Sequence, residues 1–351
     1  MTLIPLFLSL IFSAQFGLKV DTTFDIPDTD EYFLENPLSF DIDQDGNLYM
    51  VDGEAKVIFS WDKNGKFLKT IGKPGQGPGE FSFSGRGPSM GFIYVIDSKL
   101  YIFDGIKRKV MIYGVDGKFI ESPELNLPRS RTEDFIVLDD NRFLVHFRRF
   151  KDDRFVKVIR VIDNTGKEVK VYRDQEDDTV KFKMQNGRPS NMTFKVYNPT
   201  LTIGFNAASS DLLIGHSGDP FLEIHDKSGA SKKIQLPIVQ RDVTQADQDE
   251  FNASRAETQR RRPVKFTFPE KMPFYSKLVP LEDGSILAYH ESPYDHKLDG
   301  FIMDREGNAK GKLSAILGEG GGLLNARGKL LKYSLNEEDE FEFSLVSLVI
   351  K

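Results

Sequence analysis

The chain has 351 residues, with 47 Lys and Arg against 53 Asp and Glu, a net charge of −6. That acidic balance argues against the basic surface with which a nucleic-acid binder displaces counterions. Cysteine is absent while Phe and Gly each number 29, which removes disulfides, thiol chemistry and Cys-ligated metals and leans the chain towards short β-strands.

Leu3 to Phe12 is an apolar run, followed by the small residues Ser13 and Ala14. A run of about ten residues is too short for a bilayer, which takes roughly 20. Residues 1–17 are therefore predicted to be a cleaved signal peptide and 18–351 a single domain. No later stretch is apolar enough to span, so the mature chain is expected in the bacterial periplasm or secreted, not membrane-spanning, and without a Cys for lipidation.

One hairpin pattern then recurs. Its turns are Asp45-Gly46-Asn47, Asp97-Ser98-Lys99, Asp139-Asp140-Asn141, Ser209-Ser210-Asp211, Asp283-Gly284-Ser285 and Arg327-Gly328-Lys329. Apolar strands leave each turn, beginning at Leu48, Leu100, Phe143, Leu212, Ile286 and Leu330. Gly, Asn and Asp tolerate positive φ, so such turns between apolar runs signal hairpins. A second hairpin follows five of the six, at Asp62–Lys66, Asp116–Lys118, Asp163–Lys167, Asp226–Gly229 and Asp304–Asn308. Four strands per unit is the make-up of a propeller blade. The final copy lacks an outer strand, and Lys19–Ile26 lies unassigned before the first, so the N-terminal strand is predicted to complete the C-terminal blade. The fold class is all-β, a six-bladed β-propeller of four-stranded blades with one helical insertion between blades 4 and 5. A β-sandwich with a smaller domain is the other architecture these strands permit.

The run Asp41 to Asp52, the turn Trp61 to Phe67 and the loop Ile71 to Phe81, which reads Gly72-Lys73-Pro74-Gly75-Gln76-Gly77-Pro78-Gly79-Glu80 in its interior, resemble NHL-like six-bladed propellers, in particular exported bacterial 6-bladed β-propeller proteins. The resemblance is clear over residues 36–120. It implies the fold and an extracytoplasmic setting, with binding of other molecules and no assigned chemistry.

Several residues are candidates for function. Asp41, Asp43, Asp45, Gly46 and Asp52 have EF-hand spacing, but the segment aligns with hairpin turns and ends in Asp where a bidentate Glu is needed. The Gly72–Gly79 loop lacks the Lys-Ser/Thr of a phosphate cradle and reads as a connection. Aligned on their turns, the second strands end at Asp52, Asp104, His146 or Phe147, His216, His290 and Ser334. Carboxylates and imidazoles sharing one face of a ring can hold a divalent cation, Ca or Zn, in the central channel, act as acid and base, or contact a ligand. The alternative role for the Asp residues is to hydrogen-bond the adjoining turn.

The insertion spans about 237–273. Thr244 and Asp247 resemble a capping box opening a polar surface helix whose main apolar contact is Phe251, and Arg260-Arg261-Arg262-Pro263 ends it. Those arginines suit a carboxylate, phosphate or anionic glycan. Three functions follow as expectations. The first is an extracytoplasmic binding or scaffold protein, monomeric, whose insertion roofs a site for a peptide, glycan or protein. The second is a metal-dependent hydrolase or lyase, lactonase-like, using Asp52, Asp104, His216 and His290. The third is an anionic-ligand sensor built on Arg260 to Arg262 with Arg86, Lys73 and Lys107.

Overall fold

The computed structural model describes residues 14–27, 29, 31–82, 91–125, 127, 130–139, 141–185, 188–261, 264–292 and 296–351, except for the side chains of 188–191 and 256–261. It is all-β apart from one helix. Strand β1 (Ala14–Thr23) comes first. Sheet I holds β2 (Pro37–Ile42), β3 (Leu48–Asp52), β4 (Val57–Trp61) and β5 (Phe67–Ile71) in that order. Sheet II holds β6 (Gly91–Ile96), β7 (Lys99–Asp104), β8 (Lys109–Gly114) and β9 (Phe119–Glu121). Sheet III holds β10 (Arg131–Asp139), β11 (Arg142–Lys151), β12 (Arg154–Asp163) and β13 (Glu168–Glu176). A hairpin of β14 (Val180–Gln185) and β15 (Arg188–Lys195) precedes sheet IV, which holds β16 (Leu201–Asn206), β17 (Asp211–His216), β18 (Phe221–His225) and β19 (Ser231–Gln235). Helix α1 (Gln245–Arg261) and β20 (Lys265–Thr267) form the insertion. Sheet V holds β21 (Lys277–Pro280), β22 (Ile286–Glu291), β23 (Lys297–Met303) and β24 (Ala309–Ile316). Sheet VI holds β25 (Gly322–Ala326), β26 (Lys329–Leu335) and β27 (Phe341–Ile350).

The turn chemistry explains the repeat. In the outer hairpins an Asp side chain accepts from the backbone N–H groups two and four residues on. Asp62 takes Asn64 and Lys66 at 2.8 and 3.0 Å, Asp163 takes Thr165 and Lys167 at 2.9 and 3.0 Å, and Asp304 takes Glu306 and Asn308 at 2.9 and 2.8 Å. Gly supplies the positive φ that follows, 87° at Gly65. Asp43, the central member of the EF-hand spacing, makes the same pair of bonds to Asp45 and Asn47, so that segment is a hairpin turn rather than a calcium loop.

Six apolar clusters lie between successive sheets. Tyr49 and Val51 meet Ile102 between I and II, and Phe103 stacks on Phe135 at 4.3 Å between II and III. Leu144 meets Leu212 between III and IV, Leu213 meets Ala288 between IV and V, and Leu287 meets Leu330 between V and VI. The sixth cluster joins VI back to I through Leu331, Phe343, Phe59 and Trp61. Each fully buried side chain of this size contributes about 1.5–3 kcal/mol.

β1 pairs antiparallel with β27, Phe16 opposite Ile350 and Thr23 opposite Ser344. It also pairs in parallel with β24, so sheets V and VI form one eight-stranded sheet and the outer edge is covered. The chain leaving β1 is clamped across the ring. Phe24 N–H donates to Phe343 at 3.1 Å, Asp25 N–H to Gly65 at 2.8 Å, and the Trp61 indole N–H to Asp25 at 2.8 Å. The sequence-based leader boundary at residue 17 falls inside β1. A cut there removes the Ala14–Phe16 pairing to β24 and leaves Leu18–Thr23 on β27.

Candidate functional site

The residues ending the second strands do not converge. Asp52 is fully buried, and its carboxylate accepts from four backbone N–H groups: Glu35 and Asn36 at 2.9 and 2.6 Å, Glu54 and Ala55 at 2.9 and 2.7 Å. Asp104, also fully buried, accepts from Ser82, Ile106 and Lys107 at 2.6, 2.9 and 3.0 Å. Burial pushes the Asp104 carboxyl up, against the pull of those donors. Both side chains lock the incoming connection to the turn after the strand. All four lone pairs of Asp52 and three of the four of Asp104 are engaged by backbone donors, so both carboxylates have the turn-bonding role that the sequence offered as the alternative to ligand contact.

His216 is partly exposed, 3.9 Å from Asp219, and lines a cleft of about 400 Å³ with Asp178, Lys195 and Phe268. Phe147 is buried in the cluster between II and III. His146 is buried on the opposite face of β11, its Nδ1 2.8 Å from Asp134. Among the described residues no three His, Asp or Glu side chains group as a metal site. Arg260 and Arg261 close α1 with side chains outside the described residues, as are all of Arg86 and Arg262. Lys73 pairs with Glu80 at 3.3 Å and Lys107 donates to the Glu80 carbonyl at 2.5 Å. The glycine-rich loop is thus closed on itself, with Phe81 buried in the cluster between I and II.

His290 is the exception. It lines a cavity of about 600 Å³ between sheet V and the insertion. Its Nδ1 lies 2.8 Å from the Ser276 hydroxyl and its Nε2 3.1 Å from the Pro273 carbonyl. A carbonyl only accepts, so Nε2 carries the proton and Nδ1 accepts from Ser276. Burial holds the imidazole below its ordinary pKa, hence neutral. Both nitrogens therefore tie β22 to the connection leaving the insertion, and the residue positions the roof.

Thr244 caps α1 as the sequence suggests. Asp247 N–H donates to the Thr244 hydroxyl at 3.2 Å, and Thr244 N–H donates to the Asp247 carboxylate at 2.7 Å. The shorter Asp reaches what Glu reaches in a capping box. Arg241 adds a bidentate pair to Asp247 at 2.7 and 2.8 Å, which holds that carboxyl well below its usual range. Phe251 packs edge-on against Phe266 and Phe268 at 5.0 and 5.5 Å. β20 then pairs in parallel with β15, anchoring the insertion to the β14–β15 hairpin.

The floor of the cavity is Ala288, Gly300, Phe301 and Ser314, and Ile238, Val239, Arg241 and Asp247 form its other side. Val239 is 91% exposed, an apolar side chain at the rim without cover. Acidic Glu250 and Asp299 and basic Lys297 and Lys312 share the wall, with Lys312 over the Phe301 ring, so apolar and charged groups are mixed across the cavity. Sequence reasoning found the roof and His290 but not the floor, whose small residues Ala288 and Gly300 look like ordinary strand positions.

Residues 29–198 match a family model, DUF5128, described as a 6-bladed beta-propeller. The chain is a six-bladed β-propeller in fold. A Bacteroides vulgatus member of the duf4221 family superposes with a TM-score of 0.59 at 12% identity, covering 97% of this chain and 100% of that one. A candidate exported protein of Bacteroides fragilis gives 0.57 at 13% identity, covering 96% and 99%. At such identities the likeness is one of fold. No curated protein matches in sequence. Among the described residues no helix is long and apolar enough to cross a membrane.

Proposed function

We propose that the protein is an extracytoplasmic binding propeller that receives a peptide or glycan fragment in the cavity between sheet V and the α1 insertion. The observation that carries this reading is the cavity itself: about 600 Å³, lined by apolar side chains with a few charged ones of both signs, and bounded by an insertion foreign to the blade repeat. Ligand sites have this size and this division of apolar walls from a few polar groups. Long connections on a rigid scaffold are where binding residues concentrate. The export of the chain rests on its N-terminal apolar run, and the candidate exported protein of similar fold supports it.

The test is retention of small molecules. Purified protein is incubated with a periplasmic extract and desalted, and the compounds released on denaturation are identified by mass spectrometry. Wild type is expected to carry a compound that Ser314→Trp, with an indole over the cavity floor, does not. Equal loads on both proteins, or none on either, would remove the cavity from the account.

A further inference from the structure

The innermost strands of all six sheets, β2, β6, β10, β16, β21 and β25, line a separate cavity of about 400 Å³ on the propeller axis. About half of its wall is apolar, as at Leu38, Ile93, Leu278 and Leu323. A belt of charge runs around it. Arg327 of sheet VI pairs through Nε with Asp41 of sheet I at 3.1 Å, and Asp41 also accepts from Val95 N–H of sheet II at 2.7 Å. Tyr94 of sheet II follows. Burial, then the charges of Asp134 and Asp41, hold its phenol protonated, while Arg327 pulls the other way. Asp134 of sheet III holds His146 at 2.8 Å, and Glu133 holds Lys157 at 2.8 Å, with Lys157 donating on to Thr200.

Stability does not account for this belt. Ion pairs withdrawn from water roughly break even against apolar side chains of the same volume. Several valences also remain open. Among the described residues the terminal guanidinium nitrogens of Arg327 have no hydrogen-bond partner, since its one ion pair is made by Nε. Asp134 engages Oδ2 alone and its side chain is 42% exposed, although it sits on an inner strand. His146 Nε2, in a side chain 1% exposed, has no hydrogen-bond partner and lies 3.6 Å from Glu133.

The backbone beneath Arg327 supports the same view. Arg327 and Gly328 form the β25–β26 turn with φ of 48° and 92°. Both central positions of such a turn favour Gly, Asn or Asp. Arg at the first is held in a region that costs a non-glycine residue about 1 kcal/mol or more, and its side chain lines the axial cavity. Sheets III and VI stand opposite each other in a ring of six. Asp134, with an open Oδ1, and Arg327, with open terminal nitrogens, therefore both border the bore from opposite sheets of the ring, Arg327 at its β25–β26 turn end.

We propose that the axial channel is a second binding site, for a small zwitterion of the α-amino-acid class, with its ammonium towards Asp134 and Glu133 and its carboxylate towards Arg327. Tyr94 lines the same bore, and a ligand carrying a single charge would leave one of the two poles unpaired. The site meets the cavity under α1 at Ser276, which lines both, and its Lys277 is neutralised by Glu291 of that cavity at 2.7 Å.

The experiment is calorimetric titration and thermal melting of the full chain with each of the twenty L-amino acids in the millimolar range, with acetate and methylammonium as single-charge controls. At least one amino acid is expected to bind saturably and raise Tm, and the controls are not. Charged hydrogen bonds of this kind contribute enough that Asp134→Asn should weaken binding about tenfold or more. Arg327→Gln strands the buried Asp41, so the double variant Asp41→Asn/Arg327→Gln is the companion, and it too should weaken binding about tenfold or more. Ser314→Trp should bind as wild type does. Absence of binding to folded wild type, binding that survives both charge variants, or binding lost in Ser314→Trp would each overturn the proposal.

Discussion

Sheets I and II and sheets IV and V hold their incoming connections in different ways, and the difference is where the molecule becomes specific. In the first two, the residue ending the second strand is an Asp whose carboxylate gathers four backbone donors at Asp52 and three at Asp104. The connection is short of slack and no room is left at its base. In sheet IV the hydroxyl one residue beyond the strand-ending His216 does the work: Thr200 N–H donates to Ser217 at 2.9 Å. In sheet V the two nitrogens of His290 hold Ser276 and Pro273. The connection between IV and V, held by the two bonds of His290, is the one that carries the helix, and the 600 Å³ cavity lies beside it.

The comparison breaks first at Asp52. Asp52→Ala strands four partly buried N–H groups, each costing up to about 1–3 kcal/mol when unsatisfied and partly relieved by water. A loss of about 4 kcal/mol in urea-unfolding free energy is expected, with Asp52→Asn between it and wild type. Ser217→Ala, the counterpart in sheet IV, removes one acceptor and is expected to cost about 1 kcal/mol. Equal losses at the two positions would dissolve the distinction.

Asp247→Ala sharpens the comparison at the roof. Loss of a helix cap costs about 0.5–2 kcal/mol, confined here to α1, so protease should cut the insertion faster while the global unfolding midpoint hardly moves. Acid should reproduce this. The Asp247 carboxyl is held low by Arg241, so its contribution is present above the usual carboxylate pKa and lost as pH falls below it. α1 should fray below about pH 4.

Asp41 gives the smallest effect and the opposite sign. Burial raises its pKa to about 6 even with Arg327 beside it. The folded chain therefore keeps a proton that the unfolded chain releases, and stability from this group falls as pH rises from the ordinary carboxylate range through about 6. Asp41→Asn should flatten that part of a plot of urea midpoint against pH. An unchanged slope would mean that Asp41 is ionised throughout.

Much of the fold is legible in the sequence because it is written in local chemistry. The Asp-x-x-Gly turns, the missing outer strand of the last unit and the Thr244–Asp247 cap each lie within a few residues of one another or follow from counting strands. The site is less legible for a physical reason: its residues meet only across sheets. Asp52 and His290 occupy equivalent positions and look like members of one ring, yet the partners that decide their roles, Glu35 and Asn36 in one case and Ser276 and Pro273 in the other, lie 14 to 17 residues away. The axial belt was hidden similarly. The local hint is Glu133-Asp134 on an inner strand ahead of the apolar run Phe135–Leu138, where carboxylates facing the bore need partners that sequence alone cannot place. The β14–β15–β20 sheet joins segments about 70 residues apart and shows no repeat signal.

Amide hydrogen exchange tests the central claim most directly, because it reads the locked and the roofed connections in one molecule. The amides of Glu35, Asn36 and Ser82, bound to the buried carboxylates, should exchange only through global unfolding, while those of 237–243 and 272–276 exchange through local opening and slow down once the cavity is filled from a periplasmic small-molecule extract. Protection of the roof equal to that of the Asp-bound connections, or a roof indifferent to the extract, would contradict the account.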